Sequence, residues 1–297
     1  MLSKDTLLPC VSVIIPTYRD LSRLELCLKA LNQQSYPRNR FEIIVVNNDP
    51  EECITIDASD KNFTLIEEVK AGSYAARNAG IKAANGEILA FTDSDCIPDK
   101  KWLESGVKFL LLNPQITYSG GKINLYFKNS SLTLAEIYEK TFAFRQEKIL
   151  CGRKYSVTAN MMALKKVFTD IGCFDEQYLS TGDLEWGNRA SECGHSIGFS
   201  EKSIVYHPAR YSLRSIFSKS IRVAGGQFLF AKSIRKRALI IFVGFFPPIM
   251  ALFDLLGRKD INFWEKIVSL NILYVTRIIR SIIFILIALG IMKGKRA

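Results

Sequence analysis

At 297 residues, 48% hydrophobic and 23% charged, the chain is too apolar to be mainly disordered and too charged to be wholly membrane-embedded. The net charge of +11 is unevenly placed: residues 202–297 hold 17 Lys and Arg against three Asp and Glu, and residues 1–201 hold 23 against 26. A basic excess that coincides with the longest apolar runs points to an anionic membrane surface before nucleic acid, because each Lys or Arg near anionic lipid contributes about 1 kcal/mol. Seven cysteines stand at wide spacing with no CxxC pair, and residues 1–10 lack an apolar core. Free thiols, no signal peptide and a cytoplasmic location are therefore expected.

The first half alternates two patterns. Val11–Ile15 is a β-branched run stopped by Pro16, and Leu21, Leu24, Leu28 and Leu31 follow at helical spacing. Phe41–Val46 is a second apolar run, Thr64–Ile66 a third, Ser73–Ala84 an Ala-rich helix, and Glu87–Thr92 a fourth strand. Such continuous runs belong to parallel strands covered by helices on both faces, so an open α/β sheet is expected, with ligands beyond the carboxyl ends of its strands. Three polar clusters fall at those ends: Pro16-Thr17-Tyr18, Asn47-Asn48-Asp49 and Asp93-Ser94-Asp95. Asp49 joins the candidate substrate-binding residues on that ground.

In the middle, Ser119-Gly120-Gly121 reads as a chain break, Leu134–Lys148 as a helix and Tyr155–Ala163 as a strand. The polar stretch Ser180–Trp186 opens a helix that continues to Cys193, with Gly194 as its stop. Ile197–Phe199 and Ile204–Tyr206 read as two short strands. Beyond Arg210 the character changes. Arg214, Lys219, Arg222, Lys232 and Arg235–Arg237 punctuate apolar residues in a basic amphipathic pattern. Ala238–Leu256 carries one charge, Asp254, and a central Pro247-Pro248, while Ser281–Met292 is uncharged and lengthens toward Ile267 only by accepting Arg277 and Arg280. Two spans, an interfacial or re-entrant hairpin, and a soluble helical cap are the three readings. As a hairpin, Arg235–Arg237 and Lys293, Lys295 and Arg296 would put both ends on the cytoplasmic side. The expected division is a catalytic domain at 1–208 and a membrane-associating region at 209–297.

Two carboxylates at i and i+2 just past a buried strand project to one side, and their mutual repulsion suits a shared Mg²⁺ or Mn²⁺. Asp93 and Asp95 are so placed, with a solvated turn as the alternative. The stretches VSVIIPTYRD, FEIIVVNNDP, GSYAARNAG, EILAFTDSDCIPD and TGDLEWGNRASECGHSI together resemble the family 2 glycosyltransferases, through about residues 10–208. The resemblance implies a GT-A fold, a Rossmann-like mostly parallel sheet, followed here by the helical membrane-associated region. It also implies a nucleotide-diphosphate sugar donor, one metal ion and inversion at the anomeric centre. By that likeness Pro16, Thr17 and Tyr18 line the nucleotide pocket, Asn48 stands where the family often has a base-binding Asp, and Arg77 and Asn78 lie near the diphosphate.

The resemblance further implies that Asp183 is the base that deprotonates the acceptor hydroxyl, with Glu185 as rival and a plain helix cap as the bland alternative. Trp186 either supports a sugar face or fills the core. His207 matches the family's histidine and is either a third metal ligand beside Asp93 and Asp95 or a structural residue. His195 is assigned to structure. The QxxRW element of processive relatives is absent, since Gln227 precedes Phe-Leu-Phe-Ala, so transfer of one or a few sugars is implied. The acceptor implied is a lipid-linked or cell-surface glycan. A sugar-1-phosphate nucleotidyltransferase and an inactive GT-A-like binding module are the rivals.

Overall fold

The structure, a computed structural model, describes residues 8–49, 51, 54, 62–231 and 233–292. Cys53, Lys232, Lys293, Lys295 and Arg296 lie outside the described residues, so the C-terminal basic flank is not among them. The chain forms two compact units, residues 1–124, 145–176 and 183–207 in one and 125–144, 177–182 and 208–297 in the other. The expected cut near residue 208 coincides with one crossing of the chain between them. The segments 125–144 and 177–182, by contrast, stand with the second unit.

In chain order the elements are β1 (Val11–Thr17), α1 (Leu21–Leu31), β2 (Phe41–Asn47), β3 (Phe63–Glu67), α2 (Ser73–Ala83), β4 (Ile88–Thr92) and β5 (Ile97–Pro98). There follow α3 (Trp102–Leu112), β6 (Tyr118–Tyr126), α4 (Leu134–Phe142), α5 (Gln146–Arg153), β7 (Asn160–Leu164), α6 (Lys165–Ile171), α7 (Gly182–Glu192) and β8 (Ile197–Pro208). The chain closes with α8 (Leu213–Phe230), α9 (Ile234–Gly244), α10 (Ile249–Leu256) and α11 (Phe263–Ala288).

The first unit carries one mixed sheet in the order β3-β2-β1-β4-β7-β6-β8-β5. β1 pairs in parallel with β2 and with β4, and β2 with β3, while β7 runs antiparallel to β4 and β6. The order reverses at β1, whose neighbours on the two sides are reached by separate crossovers, so a crevice opens beyond Thr17. All of β1 is buried, as continuous apolar runs demand. Pro16 does not stop the strand. It pairs with Val46 of β2, and on its other side the ladder with β4 already ends at Ile14, so the missing amide proton costs no bond there.

Other expectations shift for physical reasons. Ser119-Gly120-Gly121 lies inside β6, not at a break; a Cβ on Gly121 would collide with the Ser203 carbonyl oxygen and the Asn160 side chain, so glycine lets two backbones approach. The helix expected over Leu134–Lys148 divides into α4 and α5 at Phe144, which takes a left-handed φ of 48°. The strand expected from Tyr155 begins only at Asn160, and the two strands after residue 196 are one, β8. Gly194 (φ +84°) follows α7 as expected.

In the second unit, Ala135 and Ile137 of α4, Ile216 of α8 and Val268 and Ile272 of α11 form one apolar cluster. That packing explains why residues 125–144 join this unit. A capping box of Asn262 and Glu265 starts α11. The helix is much longer than the apolar run Ser281–Met292, because both arginines find acceptors: Arg280 Nε donates to Ser220 Oγ at 2.9 Å and Arg277 Nη2 to the Val243 carbonyl at 2.5 Å. At 26 residues α11 is long and apolar enough to cross a membrane, and 28% of its most apolar stretch is buried. α9 and α10 meet the same test only as a pair, bent by 58° where Pro247-Pro248 interrupts the helix.

Candidate active site

The parallel register of β1, β2 and β4 brings the three polar clusters to one edge of the sheet, as the sequence implies. There Asp93, Asp95, Cys96 and His207 place their ligand atoms within 4.8 Å of one another. His207 Nε2 stands 3.7 Å from Asp95 Oδ1, carried in by the far end of β8. The carboxylates are already compensated by cations, contrary to the bare repulsion expected. Arg77 Nη2 donates to Asp93 Oδ1 at 2.5 Å and Arg23 Nη1 approaches Asp95 Oδ2 at 3.4 Å. Two carboxylates and an imidazole fit a divalent ion with oxygen and nitrogen ligands. Burial pushes the Cys96 thiol up, which leaves it a weak neutral donor beside them.

Arg77 is 4% exposed and rises from α2, with its guanidinium 5.5 Å from the Tyr74 ring centre. Its buried Nε has no hydrogen-bond partner, nor have the buried hydroxyls of Thr17 and Thr92. Polar atoms left so are costly unless a ligand completes them. Thr17 and Pro16 are both buried at the end of β1. Tyr18 is 38% exposed at the strand end, with the Arg19 guanidinium 5.3 Å from its ring centre.

The second strand end is organised differently from expectation. The Asn48 amide donates to the Glu68 and Lys70 carbonyls at 2.7 and 2.8 Å and accepts from the Gly72 amide at 2.8 Å. With both amide protons so engaged, Asn48 fastens the segment leading into α2. Asp49 is 4% exposed and accepts from Arg19 Nε at 2.5 Å. Asn78 likewise clamps the turn after α6, donating to the Phe174 carbonyl and to Glu176 Oε1, each at 2.8 Å, and accepting from the Phe174 amide. These contacts tie the Asn48 and Asn78 side chains to neighbouring segments of the chain.

Asp183 sits in the first turn of α7. Its Oδ1 accepts from the Leu184 amide at 2.9 Å and lies 3.4 Å from the Tyr74 hydroxyl, which in turn accepts from the Asp183 amide at 3.2 Å. Burial raises its pKa, opposed by the Leu184 amide, the Arg77 charge and Tyr74. Glu185 is engaged elsewhere: it takes Arg189 in a two-point ion pair at 2.6 and 3.1 Å, and Arg189 also donates to the Ile171 and Cys173 carbonyls.

Of the two readings of Trp186, the geometry matches the core. The residue is 1% exposed, stacked on Phe168 at 4.6 Å, edge-on to Tyr118, and its Nε1 donates to the Gly172 carbonyl. A ring enclosed in this way has no face left for a sugar. Trp186→Ala is therefore expected to cost about 3–5 kcal/mol of stability in a denaturant titration; an unchanged midpoint with weakened sugar binding would return the residue to the substrate. His195 lies 3.5 Å from Asp170, consistent with a structural part. Tyr74, Arg23 and Arg19 were not singled out by sequence. Tyr74 adjoins Arg77 within the GSYAARN stretch, the one signal that pointed toward it.

Residues 12–172 match the family model described as Glycosyl transferase family 2. Glycosyltransferase AglE of Haloferax volcanii is 36% identical over 253 residues, spanning 81% of this chain and 82% of that protein. A Methanococcus voltae enzyme named dolichyl N-acetyl-α-D-glucosaminyl phosphate 3-β-D-2,3-diacetamido-2,3-dideoxy-β-D-glucuronosyltransferase is 21% identical over 237 residues, 71% of this chain and 70% of its own. Among solved structures, the mannosyltransferase PcManGT from Pyrobaculum calidifontis, in complex with GDP-Man and Mn²⁺, shares the fold at a TM-score of 0.56 and 17% identity, over 97% of this chain and 77% of that one. With the motifs carried in order on a GT-A-like sheet, the chain belongs to glycosyl transferase family 2 and is a glycosyltransferase.

Proposed function

We propose that the protein is an inverting glycosyltransferase that moves a sugar from a nucleotide diphosphate to a hydroxyl of a lipid-linked or cell-surface glycan, one or a few sugars per acceptor, at the cytoplasmic face of a membrane. The observation that carries this reading is the position of Arg77. It holds Asp93 directly, and its charge acts on the Asp183 carboxyl, so the acidic cluster and the base share one guanidinium. The acceptor oxygen forms its bond to the anomeric carbon as the carbon–oxygen bond to the diphosphate breaks on the opposite side. Asp183 takes the acceptor proton, and Tyr74 and the Leu184 amide orient its carboxylate. Asp93, Asp95 and His207 would hold Mg²⁺ or Mn²⁺, which when bound neutralises the departing diphosphate.

The engagement of Glu185 with Arg189 favours Asp183 as the base over its neighbour. The exposed ring of Tyr18 beyond β1 suits stacking against a nucleotide base. Tyr18→Ala is expected to weaken nucleotide binding by about 1–3 kcal/mol, the scale of base–aromatic stacking, in a calorimetric titration. Unchanged affinity would remove Tyr18 from the nucleotide pocket. The name of the Methanococcus relative, with its dolichyl-linked acceptor, supports a lipid-linked acceptor here, and the GDP-Man and Mn²⁺ of the Pyrobaculum structure support a nucleotide sugar and a divalent ion. Apolar side chains exposed along α9, α10 and α11, among them Phe242, Met250, Phe253 and Trp264, support membrane association. The experiment is metal-dependent release of nucleoside diphosphate from a panel of nucleotide sugars. No release from any of them would favour a binding module.

A further inference from the structure

The second unit contains an open, groove-like cavity of about 390 Å³ whose lining has an unusual charge pattern. Four cations face it, Arg210, Arg214, Lys219 and Arg222, together with the serines at 212, 215 and 218, and among the described residues no carboxylate lines it. Three of the cations belong to α8, where Arg214, Ser218 and Arg222 follow at four-residue spacing and Lys219 stands beside them. Lys219 and Arg222, three positions apart, are like charges on neighbouring helix positions, which destabilises the helix. One carboxylate lies behind the group: Glu139 of α4, 2% exposed, sits 3.2 Å from Arg210 Nη1 and 3.6 Å from Lys219 Nζ. Glu139 therefore serves two of the cations, while among the described residues no carboxylate pairs with Arg214. Burial and the Arg210 charge pull Lys219 below the ordinary lysine value, as crowding without enough counter-charge would.

Guanidinium groups with hydroxyl donors between them suit the oxygens of a phosphate, which arginine takes at two points. Open to solvent on one side, the cavity is too small for a nucleic-acid groove and of the right scale for one headgroup. In the same unit α8 packs on α11, and Ala224, Ile283 and Phe284 form a shared core whose helix continues into the apolar stretch that can enter a bilayer. A charged cavity on a helix that braces a candidate membrane helix is placed for an amphiphile.

We propose that this cavity binds the phosphate of a lipid-borne ligand. The inference deepens the function proposed above by naming the group through which the chain grips its lipid-linked acceptor, and for that acceptor role it rests on that reading.

The test uses the full chain in dodecyl maltoside micelles, titrated calorimetrically with decyl phosphate and, separately, with inorganic phosphate. Arg214→Gln, at an exposed position, is expected to weaken decyl phosphate binding about tenfold, the usual loss for one charge-assisted pair. Lys219→Met should act alike, with thermal melts reporting that both variants fold. Lys108→Gln removes an exposed charge on α3, outside the cavity, and should leave the affinity unchanged. Equal weakening by Lys108→Gln would mean diffuse attraction and would overturn the proposal, as would unchanged binding in Arg214→Gln. Inorganic phosphate binding as tightly as decyl phosphate would overturn the lipid source. A wild-type chain that hydrolyses no nucleotide sugar, yet binds decyl phosphate through Arg214, would defeat the transferase reading and support this one.

Discussion

Asp183→Asn is expected to lower kcat by roughly 10²–10⁴, the contribution of a positioned general base, while nucleotide-sugar affinity stays within a few fold. Asparagine keeps the shape of the side chain and can still accept from the Leu184 amide, so α7 retains its first turn. What it loses is the capacity to take a proton. The wild-type rate should also fall on acidification. Burial raises the Asp183 pKa, so the protonated, inactive form accumulates at a higher pH than an ordinary aspartate, near about 3.9, would allow. The acidic limb of the kcat profile should therefore lie higher than an ordinary aspartate would place it and vanish in Asp183→Asn. Tyr74→Phe, which removes one hydrogen bond to the carboxylate, should move that limb further upward. If Asp183→Asn keeps its rate while Glu185→Gln is inactive, the base is Glu185, and the pair with Arg189 must open during turnover.

The second large effect concerns the acidic cluster. Asp95→Ala is expected to reduce kcat/KM by roughly 10²–10³, the scale of losing one electrostatic partner of a developing charge. Its carboxylate stands between His207 and Arg23, so its removal takes away one oxygen donor and leaves Arg23 without that partner. Exhaustive chelation of the wild-type chain should abolish turnover, and either Mg²⁺ or Mn²⁺ should restore it. A calorimetric Mn²⁺ titration gives a readout apart from activity: binding should be weakened in Asp95→Ala and in His207→Ala. Mn²⁺ affinity unchanged by His207→Ala would return that histidine to a structural part, and full turnover after metal stripping would remove metal from the account.

The parallel half of the sheet was legible because β1, β2 and β4 are buried on both faces, which forces uninterrupted apolar runs whatever the rest of the chain does. The polar clusters at their carboxyl ends were legible for the same reason. The antiparallel half was not. Gly120 and Gly121 read as a break because sequence does not reveal that side chains pack against Gly120 and that another backbone passes Gly121, at Ser203. Asn48 and Asn78 show the converse at the site. Their residue types suggest ligand recognition, but an amide bonded to neighbouring chain segments is indistinguishable in sequence from one aimed at a base. Arg23 escaped notice because its partner Asp95 lies 72 positions away. At the C-terminus, the run Ser281–Met292 suggested a short segment. Helix α11 extends through Arg277 and Arg280 because Ser220 and the Val243 carbonyl accept from them, and such partners cannot be read from local hydropathy.

The sugar is expected to be transferred with inversion, by attack of an acceptor oxygen that Asp183 deprotonates. The most direct measurement combines the active nucleotide sugar, an acceptor and divalent ion, and follows the anomeric proton of the product by NMR. The account predicts that an α-linked donor gives a β-linked product, formed by the wild-type chain and hardly at all by Asp183→Asn. An α-linked product, or equal rates for wild type and Asp183→Asn, would contradict it.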